Sequence, residues 1–441
     1  MRKRTIYIET LGCPKNMCDS EKAAGMAELA GCALADSPEG ADAILVNTCG
    51  FIDDAKRESI AAILEMAERK KDGGLLIVSG CLPQRYGDEL KKELPEVDFF
   101  MGVGEYGRLP GILAGAGGPE GGLFCAGVPG GAEGAGLPRR RLEPAYAASV
   151  KIAEGCDNRC AYCVIPDIRG PYRSRPPDEV LRECAALAEG GAKEISLIAQ
   201  DLTAYGSDMG GGELLPDLVR SVCGIEGLEW LRLMYCYEDR VTEGLIAAIA
   251  EEPKVCSYID LPLQHCSDRL LGAMRRRSTK AGMIGTIGRL RAAIPGIHIR
   301  TTLIVGLPGE TEAEFRELLD FVSEMRFERL GAFAYSREDG TPAALMGGQV
   351  REAEKNRRLD ALLQLQQGIS LRHNRSKIGS LLDVLVERDE GGGSFSGRSR
   401  YDAHEIDNGV VFSGGEGIKP GDIVTVRVDD AFDYDLSGTL V

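Results

Sequence analysis

The stretch Ser149-Val-Lys-Ile-Ala-Glu154-Gly-Cys156-Asp-Asn-Arg-Cys160-Ala-Tyr162-Cys163 joins a short, strand-like run to three cysteines in a CxxxCxxC spacing. Three thiolates set this close can wrap three irons of a cubane 4Fe–4S cluster and leave the fourth iron without a protein ligand. An iron left open can bind a small molecule while the cluster carries an electron. The competing readings are a zinc knuckle and reduced core cysteines. Zinc usually takes four ligands in paired CxxC units, and the chain holds no second CxxC.

Outward from this stretch, apolar runs recur with helical patterns between them: Ser149–Ile152, Glu194–Ile198, Trp230–Met234, Tyr258–Leu261, Ile297–Val305 and Leu330–Phe333. Strand–helix units in series imply a parallel sheet with right-handed crossovers, closed or partly closed into a barrel. Functional groups of such folds collect at the C-terminal ends of the strands. Cys156 to Cys163 follow the first run, Gln200-Asp201 the second, Tyr235 the third and Gln264-His265 the fourth. The turn Gly306-Leu-Pro308-Gly-Glu310 follows the fifth. His265 reads as a polar contact or a structural histidine.

The first block, residues 1 to about 113, also alternates short apolar runs with helical patterns and reads as α/β. Cys13 follows Thr5–Thr10, Cys49 follows Ala43–Asn47, and Cys81 follows Leu75–Ser79, each in a Gly-flanked turn. If these runs are neighbouring parallel strands, their carboxyl ends face one crevice, where open α/β sheets bind ligands. Three thiolates would converge there; the bland alternative is three buried, inert cysteines. Glycine in such turns lets backbone approach a bulky ligand closely. Cys18 ranks below Cys13 because it falls beside a helix start expected at Asp19-Ser20-Glu21. Cys184 and Cys223 lie in helical patterns and read as packing residues.

Length and composition bound the rest. A chain of 441 residues holds two to four domains. Its fourteen cysteines form no secreted framework, which points to a reducing cytoplasm. No apolar run spans a bilayer, and Thr5–Thr10 is too short and polar for a leader's apolar region, so neither membrane nor secretion is expected. The net charge of -16 and pI near 5.0 argue against a broad grip on nucleic acid. Residues 114–145, rich in Gly, Ala and Pro and containing Arg139-Arg-Arg, read as a flexible surface connection. From about residue 371 onward the chain is Gly-rich with candidate strands at Leu381–Glu387 and Asp422–Val428, which suggests a small β-barrel. Its carboxylates, Asp402, Glu405, Asp407 and Glu416 among them, far outnumber its Lys and Arg. An acidic barrel repels RNA and attracts a basic protein; the alternative is an ordinary solvated surface.

Leu11-Gly-Cys-Pro-Lys-Asn16, Asn47-Thr-Cys-Gly-Phe51 and Ser79-Gly-Cys81, followed by the CxxxCxxC, resemble the radical S-adenosylmethionine (SAM) methylthiotransferases. The resemblance implies four segments: an N-terminal methylthiotransferase domain at 1–113, a linker at 114–145, a radical SAM partial (β/α)6 barrel at 146–370 and a TRAM-like β-barrel at 371–441. It implies two 4Fe–4S clusters. Cys156, Cys160 and Cys163 would hold the one that cleaves SAM, and Cys13, Cys49 and Cys81 an auxiliary one that receives sulfur. SAM would serve as radical source and as methyl donor. Gln200, Gln264, Gly306, Pro308 and Glu310 lie where SAM contacts are expected from fold position. Of two branches, Glu194–Asp201, Arg232–Tyr235, Asp260–His265, Arg300–Gly306 and above all Gly397–Asp407 resemble the RimO-like one, which modifies an aspartate of ribosomal protein S-twelve. His404 departs from its pattern, where Pro is common, and Cys18 and Cys236 are unusual. The implied partners are that protein or the small ribosomal subunit, a flavodoxin- or ferredoxin-like electron donor and a sulfur donor. The alternative is the MiaB-like branch, which modifies tRNA adenosine.

Overall fold

Val, Ile and Leu fill the strand runs at successive positions, so both faces of the N-terminal sheet are covered and both are apolar. A computed structural model of the chain describes residues 3–115, 122–125, 136–210, 212–415 and 417–441. The chain forms two compact units. The first comprises Met1–Pro144, Ala153–Arg175 and Glu338–Thr341; the second comprises Ala145–Ile152, Pro176–Arg337 and Pro342–Val441.

In the first unit, Thr5–Thr10, Ala43–Thr48, Leu75–Gly80 and Phe99–Met101 pair in parallel in that order, flanked by Ala33–Leu34 and Gly122–Phe124. Alternate strand residues feed two cores. Ile6, Leu45 and Ile77 pack against the helices Pro14–Leu29 and Leu109–Leu113. Ile44, Val46, Leu76 and Val78 pack against Asp53–Arg69 and Cys81–Glu93.

Two expectations for this unit change. The first helix begins at Pro14, with Cys13 as its N-cap, not at Asp19. Proline at the first helical position is pre-set for the helix, and Asp19, Ser20 and Glu21 are buried inside it. The stretch read as a flexible surface connection is partly built into the unit. Arg139 and Arg141 pair with the buried Glu21 at 2.5 and 2.9 Å, and Gly122–Phe124 extends the sheet. Residues 116–121 and 126–135 of that stretch lie outside the described residues, as does Glu416.

In the second unit, six parallel strands form two three-stranded sheets. Ala147–Lys151, Glu194–Ile198 and Trp230–Leu233 make one; Tyr258–Gln264, His298–Val305 and Arg329–Ala334 make the other. An isolated parallel bridge joins Leu231 of the first sheet to Val255, just ahead of the strand Tyr258–Gln264. Several of the helices start at hydroxyl caps: Thr242, Ser267 and Thr279 each accept from a backbone N–H, and Thr311 forms a capping box with Glu314. The expected α/β barrel with a small β-barrel behind it is what forms. The C-terminal barrel is closed by Leu381–Gly391, Ser394–Ser399, Val410–Ser413, Leu436–Leu440 and Ile423–Ala431 around Val384, Phe395, Phe412 and Val426. Among the described residues, no helix is long and apolar enough to cross a membrane.

Candidate functional site

Cys13, Cys49 and Cys81 stand just past the carboxyl ends of three adjacent parallel strands. The three loops are stitched together by buried amides and hydroxyls. Asn16 Nδ2 donates to Leu11 O at 2.8 Å and to Thr48 O at 3.0 Å, reaching the chain beside Cys13 and Cys49 at once. Asn47 Nδ2 donates to Asn16 O at 2.8 Å, and Thr48 Oγ1 donates to Ser79 O at 2.6 Å. Ser59 bonds both backbone groups of Cys49. Gly80, at φ +98°, has no room for a side chain: an added Cβ would fall 2.4 Å from Asn47 Oδ1. Cys13 caps one helix and Cys81 begins another, and neither helix has a side-chain cap. Cys13 and Cys81 thus stand at the positive ends of two helix dipoles, which favour negative charge there.

Burial pushes the Cys49 thiol up to about 12, and the neighbouring Cys81 and Cys13 push it in the same direction. Burial also raises Cys81, Cys13 adds to the rise, and the Arg169 guanidinium opposes it. These couplings place the three sulfurs in one field. Soft thiolates crowded by burial and mutual repulsion suit an iron–sulfur cluster, whose binding releases the thiol protons.

The CxxxCxxC loop belongs to the same unit. Ala153–Glu154 pairs antiparallel with Arg173–Ser174, which pins both ends of the loop. Gly155 has φ +79°, and an added Cβ would lie 2.0 Å from Pro171 O. Next to it, Cys156 N–H donates to Gly170 O at 3.1 Å. Asn158 Nδ2 lies 3.5 Å from Cys156 Sγ. Burial raises the Cys163 thiol, with Cys160 and then Cys156 adding to the rise. This donor set fits a cubane with one open corner as well as the first does.

Arg169, which motif reading passed over, is 1% exposed. Its Nη2 donates to Asn16 Oδ1 at 2.7 Å and faces Cys81 Sγ at 3.4 Å. Its Nη1 meets Asp19 at 2.9 Å and Glu154 at 3.3 Å. Asn16 was quoted only as the last letter of a motif; its role as a hub follows from loops more than thirty residues apart in sequence.

In the second unit, the other expected site residues follow the barrel strands. Gln264 ends its strand at φ +71°, and Tyr235 follows its own at φ +63°, left-handed conformations that non-glycine residues hold only when surroundings impose them. Gly306 and Pro308 are buried in their turn. Glu310 accepts from Leu307 N–H at 2.9 Å and Gly306 N–H at 2.5 Å and pairs with Arg358 at 3.1 Å. Its carboxylate is committed to bracing that turn. His265 is buried, accepts from Ser267 N–H at 3.0 Å and is driven to about 4 by burial, so its ring is neutral.

The acidic C-terminal segment needs a correction. Asp402 is 2% exposed and grips Arg329 at 2.6 Å. Asp407 meets Arg300 at 3.3 Å and accepts from Tyr258 Oη at 2.6 Å. Arg398 pairs with Glu194, which also holds Arg232 at 2.7 Å. Glu194, Tyr258 and Arg329 begin their strands. The segment 397–407 therefore plugs the N-terminal end of the parallel barrel, the end opposite the expected site, and Asp402 and Asp407 are not docking carboxylates. Asp383, Asp389, Glu390, Glu405, Asp430 and Asp435 do face solvent.

Three family models match the chain in series: Uncharacterized protein family UPF0004 at residues 5–102, the Radical SAM superfamily at 150–322 and the TRAM domain at 378–441. The protein named "Ribosomal protein uS12 methylthiotransferase RimO" from Geotalea uraniireducens (strain Rf4) is 47% identical over 443 residues, covering 100% of this chain and 99% of its own length. Its namesake from Geobacter sulfurreducens is 48% identical with the same coverage. The solved structure of the radical S-adenosylmethionine methyltransferase TsrM from Kitasatospora setae shares the fold, with a TM-score of 0.58 at 13% identity over 89% of this chain and 82% of that one. With such identity over full length and the three matched regions in order, the chain belongs to the RimO family of radical SAM methylthiotransferases.

Proposed function

We propose that the protein is a cytoplasmic enzyme that replaces a hydrogen on the β-carbon of an aspartate in ribosomal protein uS12 with a methylthio group. The observation that carries this reading is the full-length identity of 47% and 48% to relatives bearing that name. In this proposal, Cys156, Cys160 and Cys163 hold the SAM-cleaving cluster and Cys13, Cys49 and Cys81 the auxiliary one. When bound, the clusters and SAM supply a radical for an unactivated carbon, the sulfur and the methyl group.

The chain's own residues do the positioning. Asn16, Asn47 and Ser59 fix the auxiliary cysteine loops, and Gly155 with the 153–154/173–174 pairing fixes the other loop. Cys81, Cys156 and Cys160 are buried and Cys13, Cys49 and Cys163 half-buried, which limits water around chemistry that no side-chain acid or base performs at neutral pH. Gln200, Gln264, Gly306 and Pro308 are proposed as the SAM-facing positions at the strand ends, with Glu310 bracing their turn. Residues 1–113, 146–370 and 371–441 are the proposed functional segments, joined by 114–145. A low-potential flavodoxin- or ferredoxin-like protein would deliver electrons, and a separate donor would supply sulfur.

The exposed carboxylates of the C-terminal barrel support a basic protein as partner over RNA. Methyl-labelled SAM, reductant, sulfide and purified small subunits or bulk tRNA test this directly. Label is expected in the uS12 band; label in tRNA alone would assign the protein to nucleoside chemistry instead.

A further inference from the structure

We propose that Arg169 is a positioning residue for the cluster at Cys13, Cys49 and Cys81, donating a hydrogen bond to the Cys81 sulfur and raising that cluster's reduction potential. The inference rests on the cluster assignment proposed above. Arg169 closes the helix Ile165–Arg169, six residues beyond Cys163, yet its guanidinium faces the other cysteine set. Val164 and Ile168 of the same segment pack on Cys81 and Val103, so the donor is anchored by apolar contact as well as by charge.

The fork geometry is specific. One nitrogen is shared by Asn16 Oδ1 at 2.7 Å and Cys81 Sγ at 3.4 Å, and the other is held by Asp19 and Glu154. Asn16 also ties down the loops of Cys13 and Cys49, so the guanidinium's position is linked to all three ligand loops. A guanidinium stays charged in any protein setting, and its planar fork spans partners that an ammonium cannot. Hydrogen bonds to cluster sulfurs and local charge set the potentials of such clusters over a wide range. A buried cation beside a ligand sulfur stabilises the more negative, reduced state.

The test uses the Cys156→Ala, Cys160→Ala, Cys163→Ala protein, which isolates the auxiliary cluster, with reduction followed by EPR at controlled potential. Arg169→Gln is expected to lower the reduced-to-oxidised ratio at least tenfold at the parent's midpoint, a shift of about 59 mV for one electron. Arg169→Lys, which keeps the charge and loses the fork, should fall between the two. A folded, iron-loaded Arg169→Gln protein with the parent's ratio would overturn the proposal. If that variant does not fold, an unchanged ratio in Arg169→Lys overturns it. A parent background lacking the expected four irons or so would remove the cluster assignment itself, and the inference with it.

Discussion

Gly155 carries the tightest backbone constraint at the CxxxCxxC loop. Its positive φ and the 2.0 Å approach of Pro171 O to the missing Cβ leave no place for alanine. Gly155→Ala should therefore cost the protein about half its iron, the loss of one of two four-iron clusters, while the auxiliary iron remains. Full iron content in a folded variant would show that the loop tolerates the change. The cysteines were legible in sequence because ligand spacing and strand-end turns are local signals. Arg169 and Asn16 were not, because their partners are set by the fold: Arg169 meets Asp19 across 150 residues of chain. The bracing role of Glu310 in its own turn was not legible for a related reason, since its partner Arg358 lies 48 residues further along the chain.

At the scale of elements, the plug 397–407 is where the expectation and the structure part most clearly. Composition shows that its residues are acidic; it cannot show that Arg300 and Arg329 await Asp407 and Asp402 near the strand starts. Breaking a buried pair by removing one partner costs about 3–5 kcal/mol. Asp402→Lys is thus expected to lower unfolding free energy by at least that much in urea titration. Asp383→Lys, on an exposed strand position, should change it by about 0.5 kcal/mol or less. Equal effects would contradict the plug. Acid should act on this region too. His298 is held well below its ordinary value by burial and then by Arg329, His373 and Lys377, and its Nε2 lies 3.0 Å from that of His373. Burial, then Lys377 and Arg329, takes His373 to about 4. Both rings are neutral in the fold, so this contribution to stability is whole above pH 6.5 and is lost as pH falls from there towards 4. Urea midpoints should decline across that window, and His373→Gln should shallow the decline. A flat profile from pH 6.5 to 4.5 would contradict the neutral pair.

At the scale of the whole molecule, the fold class was readable because most strand runs are apolar and end in turns. The division into compact units was less so. The CxxxCxxC loop follows a barrel strand in sequence yet packs with the N-terminal unit, a long-range preference that no local pattern encodes. Two three-cysteine sites imply about eight irons per chain after anaerobic reconstitution. Alanine at Cys156, Cys160 and Cys163, or at Cys13, Cys49 and Cys81, should halve that number, and only the first set should abolish SAM cleavage. Full iron in the second variant would dismiss the auxiliary site. The measurement that bears most directly on the central claim is the mass of the uS12 peptide carrying the target aspartate after reaction with the reconstituted protein. A gain of about 46 Da, one hydrogen exchanged for a methylthio group, is the expected result. An unchanged peptide, alongside tRNA that gains the same mass, would contradict the account.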